Sequence, residues 1–262
     1  MFSREKRCIY ENNQLAEVIC QLRFPEILSI GANQPVDFQE AIRGEYPRYG
    51  VRNDAAAPKI TGTPGDLRLE NGQPTVNYQF VSQDGIWRVN LTNTFLSLTC
   101  TNYKNWETFA KKLDLPLAAL IRVYKPAFFQ RIGLRYMNFF SRKALSLEGV
   151  PYRELFSAPY LGLLSDEDIR ENDTSRSGVD AELAIPGGCR MKLHAGPGLV
   201  KRNGQPDPEP KFILDMDLFM AGNIPLNLAA GALETIHAQA YPIFRDAITD
   251  RLHDAMEPED ID

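Results

Sequence analysis

The chain has 262 residues and a formal charge of -5, with 44% hydrophobic and 24% charged residues. That balance is typical of a folded protein and far from the low-hydrophobicity, high-charge compositions that stay disordered. The acidic excess excludes a broad basic surface for duplex DNA, because phosphate binding draws on clustered Lys and Arg, while a local basic face remains allowed.

In chain order, the first predicted element is a strand over 15–24, where Ala16, Val18, Cys20, Leu22 and Phe24 alternate with Glu17, Gln21 and Arg23. Pro25 ends it. Residues 35–46 carry Phe38 and Ile42 at helical spacing between Pro35 and Gly44, which predicts a short helix. Residues 48–74 read as a mobile loop or short hairpin, with Ile60 and Leu67 to Leu69 as brief strand candidates and Asn71-Gly72 as a turn. Three strands follow at 75–81, 86–91 and 95–101, the first two joined around Asp84-Gly85, forming a meander. From Asn105 the period lengthens: Trp106, Phe109, Leu113, Leu117, Leu120 and Tyr124 recur every three or four residues, as in an amphipathic helix. Pro116 inside it predicts a kink, or a restart capped by Asp114.

The second half repeats this order. Ile132, Leu134, Tyr136 and Phe140 alternate with Arg131, Gly133, Arg135 and Met137 in a strand over 130–140. Short helical stretches are predicted near 151–156 and 165–170, then strands near 179–185 and 189–194, a proline-rich loop over 201–210 and a last strand over 211–220. Asn227 is the predicted cap of a long helix running through Leu233, Ile236, His237, Phe244, Leu252 and Met256, bent at Pro242. The expected fold is α+β: two similar halves of mainly antiparallel sheet, 1–127 and 128–262, each closed by a long amphipathic helix. One compact domain is compatible with the same pattern.

Little catalytic chemistry is signalled. There is no nucleophile elbow, Walker A loop, H-E-x-x-H, G-x-G-x-x-G or calcium loop, and no cofactor or metal is expected. Cys8, Cys20, Cys100 and Cys189 lie far apart without a C-x-x-C pair, so they read as reduced, mostly buried thiols. His237 falls on the apolar stripe of the last helix and reads as a packed histidine bonded to neighbouring backbone; His253 lies near that helix's end. Trp87, Trp106, Tyr103 and Tyr136 read as core or core-edge. His194, ahead of a Gly-Pro-Gly turn, is a candidate base or ligand. Asp215 and Asp217 share one face of a strand and could hold a divalent cation, or neutralise Arg131 and Arg135 on another strand. Glu17, Gln21 and Arg23 form a similar polar face in the first half, and two such faces could form one groove for a nucleotide or an anionic peptide.

The stretches Leu15-Ala16-Glu17-Val18-Ile19-Cys20-Gln21-Leu22-Arg23-Phe24-Pro25 and Arg131-Ile132-Gly133-Leu134-Arg135-Tyr136-Met137-Asn138 are joined by Trp106, Leu214 to Asp217 and a closing His237, Phe244, Ile248, Thr249, Asp250 pattern. Together they resemble a sporadically distributed prokaryotic family of uncharacterised proteins of about this length, over nearly the whole chain. The resemblance implies an association with mobile or defence genes and supplies no catalytic residues to carry over.

The functional expectation is a non-enzymatic binding or interaction module with a protein partner or self-association, and an anionic ligand as a further occupant. Arg23, Arg131, Arg135, Asp215, Asp217 and His194 are its candidate contacts. The alternative is a metal-dependent hydrolase or nuclease using Asp215 and Asp217. The opening stretch lacks an apolar run of signal-peptide length and no segment approaches about 20 apolar residues, so a cytoplasmic chain with no membrane partner is expected.

Overall fold

In the computed structural model, which describes residues 6–54, 59–61, 68–70, 74–202 and 205–260, the early two-residue alternation becomes a strand. The elements begin with β1 (Cys8–Tyr10), β2 (Leu15–Arg23), α1 (Leu28–Ala32), α2 (Val36–Ile42) and β3 (Arg48–Asp54). Next come β4 (Lys59–Thr61), β5 (Arg68–Glu70), β6 (Thr75–Val81), β7 (Trp87–Leu91), β8 (Phe95–Cys100) and α3 (Trp106–Tyr124). The chain continues with β9 (Phe129–Phe140), α4 (Ala158–Leu161), β10 (Val179–Ile185), β11 (Cys189–Gly198), β12 (Lys201–Arg202), β13 (Gln205–Pro206) and β14 (Lys211–Ile224). It closes with α5 (Ala229–Ala247), α6 (Asp250–Ala255) and β15 (Pro258–Asp260).

Nine strands form one sheet in the order β10-β11-β14-β9-β2-β8-β7-β6-β3, and every neighbouring pair is antiparallel. The sequence suggests a sheet in each half. Instead, β2 and β9 pair directly, from Leu15 opposite Asn138 to Arg23 opposite Arg131, and unite them. β1 pairs with β15, and β4 with β5 and β12 with β13 form two further short ladders. Of the segment read as a loop, residues 48–54 are an edge strand, Ile60 and Leu69 do pair, and Asn71-Gly72 lies outside the described residues.

One sheet face is apolar because every second residue is: Val18, Cys20 and Leu22 of β2, Leu96 and Leu98 of β8, Ile132 and Leu134 of β9, and Leu214 and Leu218 of β14 are all fully buried. Aromatic contacts identify the elements packed on that face. Phe109 of α3 meets Trp87 at 5.7 Å between ring centroids, Phe244 of α5 meets Phe140 at 6.2 Å, and Phe156 stacks on Phe212 at 3.7 Å. The four cysteines are buried and free, and burial pushes the Cys20 thiol up.

Local expectations fail where tertiary contacts compensate for a residue's own preference. Pro116 neither breaks nor restarts its helix: α3 runs through it, capped by Asn105, whose side chain accepts from Thr108 N–H. Proline withholds the amide that would reach the Lys112 carbonyl. The buried Tyr46 hydroxyl donates to that oxygen instead, at 2.9 Å. Pro242 sits inside α5 without ending it, and the carbonyl it leaves free belongs to exposed Ala238. The last helix breaks later, at Ile248, whose extended backbone bridges to Phe156 before Thr249 caps α6. Asn227 lies inside a 3-10 turn and provides no cap. The helical stretch expected near 165–170 is instead bend and turn, flanked by 3-10 turns at Gly162–Ser165 and Glu171–Asp173, while α4, with Pro159 in its first turn, lies before it.

Tyr46→Phe is predicted to lower unfolding stability by about 1–3 kcal/mol, because it leaves the Lys112 carbonyl unpartnered beside a proline. A urea titration reads this directly, and an unchanged midpoint would show that the hydroxyl does not compensate for Pro116.

Candidate functional site

Sheet register gathers all six candidate residues on the face opposite the helices. Residues directly opposite in adjacent strands share a face. Asp217 lies opposite Arg135 and Asp215 opposite Met137 across β14 and β9, His194 lies opposite Asp215 across β11, and Arg23 lies opposite Arg131 across β2. The polar sides of β2, β9, β14 and β11 are therefore one continuous surface.

On the β9 side this surface is a lattice of ion pairs whose sign alternates strand by strand. β10 contributes Asp180 and Glu182, β11 contributes Arg190, Lys192 and His194, β14 contributes Asp215 and Asp217, and β9 contributes Arg131 and Arg135. Arg135 grips Asp215 through Nε at 2.8 Å and Nη2 at 2.5 Å. Arg131 Nη2 donates to both Asp217 oxygens, at 2.6 and 2.7 Å. His194 Nδ1 lies 2.8 Å from Asp180, and Arg190 lies 2.6 Å from Glu182. The Asp215 and Asp217 side chains are only 15% and 26% exposed, which places these two pairs above the near-zero value of fully exposed pairs. The hydrogen bond from Arg135 to Asp215 raises the Arg135 pKa further.

Arg131 reaches Asp217 diagonally, since Ala221 and not Asp217 is its register partner. Gly133 makes room for this reach. A Cβ at 133 would lie 2.4 Å from Arg131 Nη1 and 2.9 Å from Cζ. The guanidinium lies over Gly133, with its Cζ over the Phe219 ring, 4.4 Å from the centroid.

Toward β3 the surface changes character. Gln21, Ser97, Thr99, Asn90, Gln79 and Asn77 are polar without charge, interleaved with Arg23, Arg88, Arg48 and Arg52. Arg88 lies 3.2 Å from Glu17, and Arg52 lies 2.5 Å from Asp54, whose carboxyl is held below its usual range by Arg52 and Asn77. Arg23 and Arg48 have no ion-pair partner among the described residues. Asn77 Oδ1, Asn90 Oδ1 and Arg88 Nε are buried with no hydrogen-bond partner among the described residues. Arg48, Arg88, Asn77 and Asn90 escaped the sequence reading, although the alternation in Trp87-Arg88-Val89-Asn90-Leu91 marks two of them.

Asp215 and Asp217 adopt the neutralising role, with both oxygens of each carboxylate held by a guanidinium. Among the described residues no group of three or more His, Cys, Asp or Glu side chains is arranged to hold a metal ion. The other histidines lie on the helix side. His237 bonds the Tyr136 hydroxyl at 3.0 Å rather than backbone and stacks on Trp106 at 4.5 Å; burial, reinforced by the charge of Arg7, lowers its pKa to about 4. His253 Nδ1 meets the Tyr10 hydroxyl at 2.8 Å.

Compared with known proteins, the chain matches no family model and no curated protein. No helix among the described residues is long and apolar enough to cross a membrane.

Gly133→Ala should dislodge Arg131 from Asp217 at a cost of about 1 kcal/mol, the scale of one partly buried ion pair. In a double-mutant cycle with Asp217→Asn the two losses should overlap, because both remove the same contact. Fully additive losses in denaturant midpoints would contradict this geometry.

Proposed function

We propose that the protein is a non-enzymatic binding module whose polar sheet face receives an acidic segment of a protein partner. The observation that carries this reading is the uneven charge along that face. Between β9 and β10 acids and bases are matched, whereas between β2 and β3 two guanidinium groups stay without ion-pair partners among the described residues, beside buried polar atoms that lack partners. A chain of net charge -5 thus keeps an excess of arginine in one region. Guanidinium forks match carboxylates. A partner's carboxylates and backbone N–H groups would also satisfy the stranded polar atoms, each of which costs about 1–3 kcal/mol when left unpaired. The neighbouring lattice holds its own arginines in place and would repel misplaced charge.

The arrangement gives less support to a metal-dependent hydrolase or nuclease, because Asp215 and Asp217 would first have to release their arginines. It is compatible with self-association, in which acidic groups of a second copy meet Arg23 and Arg48. We also infer that 1–127 and 128–262 share one plan. Each half puts its first strand of the nine-stranded sheet, β2 or β9, at the sheet's centre beside its last long strand, β8 or β14, and then steps outward through β7 and β6 or β11 and β10. Each half also carries one long helix, α3 or α5, on the apolar side. Such a plan suits a protein that offers one broad face to a partner in the mobile or defence setting the resemblance implies.

Titration with poly-L-glutamate tests the reading. The protein should bind it with an affinity that falls as salt rises, and Arg23→Glu with Arg48→Glu should weaken binding at least about tenfold without changing the thermal midpoint. Equal binding by the double variant overturns the proposal. So does hydrolysis of a nucleotide or nucleic acid in Mg²⁺ or Mn²⁺ that Asp215→Asn with Asp217→Asn abolishes.

A further inference from the structure

On the opposite side of the sheet a pocket of about 110 Å³ opens between β1, the middle of β9 and α5. Its walls are aromatic. Tyr10 packs on Phe244 at 5.8 Å, and Tyr103 meets Tyr136 edge-on at 6.2 Å. Three of the lining residues carry hydrogen-bonding groups. Asn138 is 3% exposed and donates its amide to the Leu214 carbonyl at 3.2 Å, yet its Oδ1 has no partner among the described residues. His237 uses Nδ1 on Tyr136, and its Nε2 has no hydrogen-bond partner among the described residues. The Tyr103 hydroxyl is unpartnered in the same sense.

The pocket's cations are Arg7 and Lys104. Lys104 is exposed and has no ion pair among the described residues, and Arg7 touches Glu107 only at 3.9 Å. Arg7 acts on the interior from there, since its charge adds to the lowering of His237 and opposes the rise of Tyr103. The pocket thus combines an apolar aromatic body, hydrogen-bonding groups in its walls and uncommitted positive charge. That is the pattern of small-molecule sites, where a few placed polar groups orient a ligand held mainly by apolar contact.

We propose that this pocket binds a small organic acid with a compact ring or short-chain body, its carboxylate at Arg7 and Lys104 and its body among Tyr10, Tyr103 and Phe244. Asn138 Oδ1 accepts from a hydroxyl on the buried end, and the neutral His237 ring supplies the second contact. The volume suits a body on the order of one six-membered ring. The site is independent of the polar face, so either can fail without the other. Its outer wall, β1, pairs with β15 over three positions among the described residues, continued by the Glu11 and Asn12 amides donating to the Glu257 and Met256 carbonyls, with Cys8 Sγ 3.3 Å from the Tyr241 hydroxyl and Tyr10 bonded to His253.

The test uses Trp106, which stacks on His237 beside the pocket, as a fluorescent reporter. Benzoate, 4-hydroxybenzoate and hexanoate are titrated against the full chain, with 4-hydroxybenzamide as the neutral control. At least one acid is expected to give a saturable change at micromolar to millimolar concentration. Arg7→Ala should weaken it about tenfold, the scale of one charge-assisted contact, and Ala240→Leu, which fills the pocket, should abolish it while circular dichroism stays unchanged. Because a surface charge such as Arg7 can be removed without unfolding the chain, its effect stands even if Ala240→Leu fails to fold. No saturation with any acid, equal binding of the amide, or binding indifferent to Arg7→Ala would overturn the proposal.

Discussion

At the middle of the sheet β2 and β9 run antiparallel and hold each other in one register, and the arrangement of both sheet faces follows from that pairing. Side chains alternate along each strand, so a slip of one residue would turn Arg131 and Arg135 into the core and expose Ile132, Leu134 and Tyr136. Burying a large apolar side chain contributes about 1.5–3 kcal/mol, whereas an unpaired buried charge costs far more. The register is set by that difference. Within this ladder the register shifts between Leu15 and Glu17, at the start of β2.

Once the register is fixed, the two sides of the sheet take on separate chemistry. The apolar side collects helices and aromatic rings, and where α5, β1 and β9 meet it leaves a pocket with unused hydrogen-bonding capacity. The polar side arranges charge by strand, with Asp215 and Asp217 at successive same-face positions of β14 and Arg131 and Arg135 flanking Gly133 on the same face of β9. Diagonal arginine reach, with Gly133 giving way beneath Arg131, turns that arrangement into forks rather than loose surface pairs. Toward β3 the carboxylates thin out while the arginines persist, and the balance of the face tips positive.

Much of this was legible in the amino-acid order, and the parts that were not have physical causes. Alternation identifies β2, β9 and β14, since each buries one face, and the same-face placement of Asp215 and Asp217 already offers Arg131 and Arg135 as neutralising partners. The fusion of the halves into one sheet was hidden because strand pairing between distant segments leaves no local trace. Edge strand β3 was missed because Arg48, Tyr49, Val51 and Arg52 are all exposed, which erases the alternation. Pro116 misled because the hydroxyl that compensates for it lies 70 residues earlier along the chain, in Tyr46. His237 gave only half its meaning: its helical spacing predicted burial, while its partnership with Tyr136 and its place in a pocket depend on a strand 101 residues away.

β2 and β9 form the centre of one cooperative sheet, and hydrogen–deuterium exchange with peptide-level resolution measures that most directly. Amides of 15–23 and 129–140 should be among the slowest in the chain and should open together in the global unfolding event, protecting both halves at once. Fast exchange in these two strands, with the outer strands of each half protected and opening independently, would contradict a single sheet and with it the continuous polar face.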